Sequence, residues 1–211
     1  VIVAGDVNST IACALVAKKL QIHVAHLEAG LRSYDERMPE EINRVLTDRI
    51  SDILLTPSLD ANKNLIKEGV ITNKIHFVGN VMIDALLRNR EKAEATAILE
   101  DIGFIKRKYA VVTLHRPANV DNREALSGLV DVLDAVQRDM PVVFPIHPRT
   151  RARLSENGFE PRIRAMKNLQ LIEPIGYLEF LKLMANACIV LTDSGGIQEE
   201  TTILRVPCIT L

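Results

Sequence analysis

The sequence has no cysteine pair at zinc or redox spacing, no excess of either charge and no apolar run of bilayer length. Its three cysteines, Cys13, Cys188 and Cys208, lie far apart within apolar stretches. Neither a CxxC pair nor a Cys/His cluster is present, and the cysteines read as small buried hydrophobes of a reducing compartment. Basic and acidic residues number 26 and 27, for a formal charge of −1. That balance removes the electrostatic footprint of a nucleic-acid binder and gives no motive for a membrane-surface role. No uninterrupted apolar stretch nears the ~20 residues that a spanning helix needs, and no signal-peptide pattern opens the chain. A cytoplasmic protein is the expectation. Internal repeats, low-complexity segments, a P-loop and a GxGxxG fingerprint are also missing, so triphosphate and dinucleotide readings lose their usual support.

What is present suits one large or two small soluble domains: 211 residues, 47% apolar and 25% charged. The chain opens inside one apolar run, VIVAGD, and stops inside another, VPCITL. Both ends predict a piece of a longer protein.

Short β-branched runs alternate with segments of helical period, the pattern of βα units and a parallel sheet. Strands are predicted over 1–5, 22–27, 53–56, 75–78, 110–114, 142–146, 169–172, 189–192 and 206–211. Helices are predicted over 10–20, 39–51, 58–68, 81–100, 122–138, 177–187 and 195–204. From 81 to 103 the sequence is charged and alanine-rich with no strand nearby, which predicts one long helix connecting two α/β units. The domains are accordingly 1–80 and 81–211. Strands covered by helices on both faces should be nearly all apolar, and IVLTD and AVVTL fit.

Ligands of parallel sheets bind beyond the carboxyl ends of the strands. The residues immediately after the apolar runs are rich in chemistry: Asp6, Glu28, His115, His147 and the run Asp193-Ser194-Gly195-Gly196. In TDSGGIQEE, small residues at a helix start let an anion approach free N–H groups. Glu200, six residues past Ser194, could accept hydrogen bonds from a ribose diol. The plainer reading is a strand-to-helix turn with a serine cap.

In AGDVNST, Asp6 ends a strand, though it could be an ordinary turn residue. In HLEAGLRS, Glu28 and Arg32 follow the second strand; a salt-bridged loop is the alternative, less comfortable for a charge tucked behind Val-Ala-His-Leu. RMPEEINR puts Glu40 and Glu41 in a first helical turn, one facing the site and the other a surface carboxylate complementing the dipole. Their proximity would raise a pKa, as acid–base work needs. LHRPANVDN places His115 and Arg116 where a diphosphate clamp would sit, with Pro117 giving an extended exit and Asn119 or Asn122 capping the next helix. In HPRTRAR the arginines read as a solvated helix face, with His147 a second-tier candidate beside Arg32. His23 and His76 read as strand residues without a role.

GDVNST, HLEAGLRS, MPEEINR, VGNVMIDAL, LHRPANV and TDSGGIQEE occur in one order over nearly the whole chain. In this the sequence resembles the non-hydrolysing UDP-N-acetylglucosamine 2-epimerases of bacteria and archaea. The resemblance implies two Rossmann-like domains in a GT-B-like arrangement, both incomplete here, with UDP-sugar bound in the interdomain cleft. It implies catalytic roles for Asp6, Glu28, Glu40 and His115. For UDP it implies Arg116, Phe180 beside the uracil, Ser194, Gly195 and Gly196 at the diphosphate, and Glu200 at the ribose. The implied chemistry is elimination of UDP with the C2 proton, giving 2-acetamidoglucal, then reprotonation from the opposite face and re-addition of UDP. No redox cofactor or metal enters that scheme, and a homodimer is compatible with it. Competing readings are a GT-B glycosyltransferase, the hydrolysing epimerase branch, a non-catalytic nucleotide-sugar-binding module, and an epimerase of a UDP-diacetamido-uronic acid sugar.

Overall fold

The computed structural model describes all 211 residues, and the chain divides into two compact units, Val1–Val81 and Met82–Leu211. The first unit runs β1 (Ile2–Ala4), α1 (Asn8–Lys19), β2 (Ala25–Leu27), α2 (Pro39–Ile50), β3 (Ile53–Thr56), α3 (Leu59–Lys67) and β4 (Ile75–Phe77). Its four strands lie in the order β1-β2-β3-β4, all parallel. Local chemistry sets the helix starts. Pro39 occupies the first turn of α2, where its missing N–H costs nothing, with Glu40 and Glu41 beside the positive end of the dipole. Ser58 caps α3 by accepting from the Ala61 N–H. The core is modest, with Val3, Ala14, Ala17 and Val24 on one side and Ala29, Leu54 and Leu65 on the other. Ile2 of β1 and Leu15, Val16 and Leu20 along and just after α1 are exposed. The expectation of strands buried on both faces therefore does not hold at β1.

The second unit runs α4 (Val81–Glu94), α5 (Ile98–Ile102), β5 (Ala110–Thr113), α6 (Pro117–Val120), α7 (Arg123–Asp139), β6 (Val142–Pro145), α8 (Pro148–Glu156), α9 (Glu160–Ala165), β7 (Leu169–Ile172), α10 (Tyr177–Ala185), β8 (Ile189–Thr192), α11 (Gly195–Leu204) and β9 (Cys208–Thr210). Its parallel sheet has the order β7-β6-β5-β8-β9. The chain thus builds outward from β5 in one direction, returns, and continues from β8 in the other. Ala110, Val111, Val112, Val142, Val143 and Phe144 are fully buried between two apolar clusters, one on each face. Each valine and the phenylalanine among them contributes ~1.5–3 kcal/mol of burial. Asn122 caps α7 through the Glu124 and Ala125 N–H groups, and Leu126, Val130 and Leu133 repeat at helical spacing on its buried face.

Four expectations need correction. The predicted connector is not one helix: α4 stops at Glu94 and α5 begins at Ile98. The break is capped by Lys182, whose buried ammonium donates to the Glu94 carbonyl at 3.0 Å and to the Thr96 carbonyl. Cys13, on α1, and Cys188, in the bend between α10 and β8, are exposed rather than buried. His23 lies outside a strand; α1 ends through Gln21 in a left-handed conformation (φ 59°), and β2 begins only at Ala25. Pro117 does not lead an extended exit but opens the short helix α6, after an extended Arg116. No helix is long and apolar enough to cross a membrane.

Candidate functional site

In the first unit, chemistry collects at the carboxyl edge of β1 and β2. Asp6 follows β1 and accepts from Arg44 Nη2 at 2.6 Å, while its carbonyl accepts from the Asn43 amide at 2.9 Å. Arg44 extends from α2 and also pairs with Glu41. Glu28, just past β2, is exposed and in a left-handed conformation (φ 73°), with its backbone N–H on the Leu55 carbonyl at 3.0 Å. Its carboxylate lies over Gly5, where an added Cβ would stand 3.6 Å from Glu28 Oε2. The expectation of a tucked-in charge at Glu28 is thus corrected: the twist of the backbone turns the side chain outward. A non-glycine residue held at positive φ stores about 1–3 kcal/mol and is a frequent mark of functional positions.

The Glu40–Glu41 pair resolves in an unexpected way. Glu40 is exposed, but Glu41 is not the surface carboxylate expected; only 4% of it is open. It folds back to accept from the Ser33 and Tyr34 N–H groups at 3.0 and 2.9 Å and from Arg44. Burial pushes its pKa up, yet the two backbone donors and Arg44 outweigh burial and hold it below the usual carboxylate range. The raised value expected of a neighbouring pair is therefore not found at Glu41. Its work is to fasten the loop that precedes α2.

Arg32 and His26 belong to a buried network beneath this edge. Arg32 donates to Glu68 through Nε and Nη2, both at 2.7 Å, and pairs with Asp48 at 2.8 Å. Burial alone would lower the guanidinium pKa, but Glu68 and Asp48 more than compensate and raise it. Asp48 also accepts from His26 Nδ1 at 2.6 Å and from the Gly30 N–H at 3.0 Å, and His26 Nε2 meets the Gly5 carbonyl at 2.9 Å. Gly30 sits at φ 82° with the Ala61 carbonyl 2.6 Å from where a Cβ would be, so only glycine fits. Sequence reasoning missed Asp48 and His26; nothing in their neighbours marks a charge that three elements need.

In the second unit, the chemistry lies at the topological switch point. β5 and β8 are adjacent in the sheet, with Thr113 opposite Thr192, so the residues following them are brought side by side. Asp193, only 2% exposed, is the centre of this arrangement. Its carboxylate accepts from the His115 N–H at 3.0 Å, the Arg116 N–H at 2.8 Å and the Asn119 amide at 3.3 Å, and it pairs with His115 Nδ1 at 2.8 Å. His115 remains half-exposed and Arg116 exposed. Asn119 is thus a bridge from α6 to Asp193 and the Leu211 carbonyl, while capping falls to Asn122. The signal for Asp193 was in the sequence: a carboxylate directly behind IVLT must find partners if it is buried.

Ser194 precedes α11 but does not cap it with its side chain. Its N–H instead donates to Thr192 Oγ1 at 3.0 Å. No acidic residue occupies the first turn of α11, and space is open where a Gly195 Cβ would be, while one at Gly196 would press on Met82 Cε at 2.9 Å. The helix start therefore carries no acidic side chain in its first turn and lies behind small residues. Further along α11, Glu200 is 6% exposed and accepts from the Tyr177 hydroxyl at 3.3 Å. Burial raises the Glu200 pKa, and the Tyr177 bond offsets part of that rise. Phe180, one turn after Tyr177, is half-buried against the core under α10. Sequence reasoning missed Tyr177, since nothing local ties position 177 to position 200. His147 caps α8 by accepting from the Arg149 N–H at 3.2 Å, and Arg149, Arg151 and Arg153 pair with Asp121, Glu173 and Glu156 on the exposed side. No group of three or more His, Cys, Asp or Glu side chains is gathered at metal-holding distances.

Comparison with known proteins bears on this arrangement. A family model described as UDP-N-acetylglucosamine 2-epimerase matches residues 1–211. The UDP-N-acetylglucosamine 2-epimerase of Methanocaldococcus jannaschii is 50% identical, over 100% of this chain and 59% of its own length. Its crystal structure in complex with UDP-GlcNAc and UDP is similar to this chain at a TM-score of 0.87, covering 100% of this chain and 59% of that one. The UDP-2,3-diacetamido-2,3-dideoxy-D-glucuronate 2-epimerase of Pseudomonas aeruginosa is 44% identical, over 100% of this chain and 58% of its own. The chain thus spans about 59% of the length of the curated relatives it matches.

Proposed function

The chain belongs to the UDP-N-acetylglucosamine 2-epimerase family, and from that premise we propose that the protein carrying it interconverts UDP-N-acetylglucosamine and UDP-N-acetylmannosamine at C2. One observation carries the reading: β5 and β8 set the His115-Arg116 pair and the acid-free start of α11 side by side at the switch point of a parallel sheet. That is where anionic ligands of such sheets bind. Ser194, Gly195 and Gly196 then take the diphosphate, Arg116 adds charge, Glu200 takes the ribose hydroxyls and Phe180 flanks the uracil.

The C2 hydrogen of the sugar is not acidified by a carbonyl, so the reaction runs through departure of UDP. The second unit stabilises the diphosphate charge as it develops. The first unit supplies the proton work. Asp6, Glu28 and Glu40 are the candidates among its carboxylates, and loss of a proton on one sugar face and return on the other requires at least two groups. Arg44 donates to Asp6 and fixes where its carboxylate lies. No cofactor is needed for this scheme, and a cytoplasmic pool of UDP-sugar would supply it. A homodimer is compatible with the reading.

The 44% identity to the diacetamido-glucuronate enzyme supports a second substrate reading, since UDP-binding residues do not read the sugar. Product analysis separates the alternatives. Incubation with UDP-N-acetylglucosamine should give UDP-N-acetylmannosamine. Free N-acetylmannosamine with UDP would indicate a hydrolysing enzyme, and turnover of only the diacetamido-uronic acid sugar would move the substrate assignment.

A further inference from the structure

We infer that Asp193 is a positioning residue that selects the tautomer of His115, so that Nε2 is the ring nitrogen offered to ligand. The inference rests on the UDP-binding reading of the second unit only for what Nε2 meets; the tautomer itself follows from the geometry.

Asp193 accepts from three donors and meets a fourth group at close range. Two are the backbone N–H groups of His115 and Arg116, at 3.0 and 2.8 Å, and the third is the Asn119 amide at 3.3 Å. These fix the carboxylate, which is fully enclosed, and they fix the backbone from which the imidazole hangs. The fourth partner is His115 Nδ1, 2.8 Å from Asp193 Oδ1. A ring lone pair held 2.8 Å from a carboxylate oxygen would be repelled by it, so the nitrogen facing Asp193 carries the hydrogen. A neutral imidazole has one N–H, and with that hydrogen on Nδ1 the lone pair falls to Nε2. The half-exposed ring therefore presents an acceptor when neutral and a donor when protonated, always at the same atom. Nε2 can accordingly take up a proton and then hold it against an anionic oxygen without the ring turning over. A carboxylate held against one ring nitrogen of a histidine favours the tautomer that carries its hydrogen there.

Nitrogen-15 correlation spectra of the whole chain, with His115 identified by its loss in His115→Gln, test this. In the unsubstituted protein the neutral His115 ring should carry its proton on Nδ1. In Asp193→Asn the ratio of Nδ1–H to Nε2–H should fall about tenfold or more, as removal of a charge 2.8 Å from the ring nitrogen warrants. Addition of UDP should move the Nε2 resonance and leave the Nδ1 resonance nearly in place. A neutral ring protonated on Nε2 in the unsubstituted protein would overturn the positioning role, whether or not Asp193→Asn folds. The expected tautomer with neither nitrogen responding to bound UDP would leave that role standing and count against the diphosphate reading.

Discussion

The Tyr177 hydroxyl donates to Glu200 Oε1 at 3.3 Å, joining an exposed aromatic on α10 to a carboxylate almost closed off from water on α11. Burial lifts the Glu200 pKa above its ordinary value, and Tyr177 restrains the rise. The folded state therefore holds a proton at pH values where the unfolded chain has lost it. Stability from this group is full below the unfolded carboxylate pKa and declines as pH rises through the folded one. Glu200→Gln should raise the melting temperature at pH 7, with the gain shrinking towards pH 4, as read by scanning calorimetry. The same substitution should weaken UDP binding about tenfold or more if the carboxylate accepts the ribose hydroxyls. A stability loss at pH 7 would contradict the burial argument.

Glu28 lies at φ 73°. Alanine and glycine both remove its carboxylate, but only glycine is relaxed at positive φ. Glu28→Gly should be more stable than Glu28→Ala by about 1 kcal/mol in urea unfolding, and both should abolish the epimerase activity proposed for the protein that carries this chain. Equal stabilities would mean that the turn relaxes without its side chain.

Asp48 holds His26, Arg32 and the Gly30 N–H together inside the first unit. Removing one partner of a buried ionic group leaves the others uncompensated, at a cost of about 3–5 kcal/mol. Asp48→Ala should unfold the first unit at correspondingly lower urea concentration. Replacing Arg32 and Asp48 together by apolar residues should recover part of that loss.

Acid sensitivity should have a local signature. Asp52 is held at about 2, first by the Lys18 ammonium at 2.7 Å and then by the Val24 N–H. A depressed carboxylate contributes stability above its unfolded pKa, and that contribution is lost as pH falls through the folded value. Between about pH 4 and about pH 2, the unsubstituted chain should lose more of its unfolding midpoint than Lys18→Met does.

Much of this fold is written in local pattern. All nine strands were legible because β-branched runs such as AVVT and IVLT have no competing helical period. The helix break at 95–97 was not, because Lys182 imposes it from 86 residues beyond Thr96. The strand-end rule pointed to Asp6, Glu28, His115 and the Ser194 turn, since topology places such residues at the carboxyl edge of their own sheet. It could not say which of Glu40 and Glu41 folds inward, because the Ser33 and Tyr34 N–H groups that decide it belong to a loop without a pattern. Nor could it find Tyr177, whose meaning comes only from α10 and α11 lying together.

Proton NMR of UDP-N-acetylglucosamine incubated in heavy water with the protein carrying this chain tests the central claim most directly. UDP-N-acetylmannosamine with deuterium at C2, formed reversibly from either epimer, is the expected product. Binding of UDP without a new sugar or any exchange at C2 would contradict it.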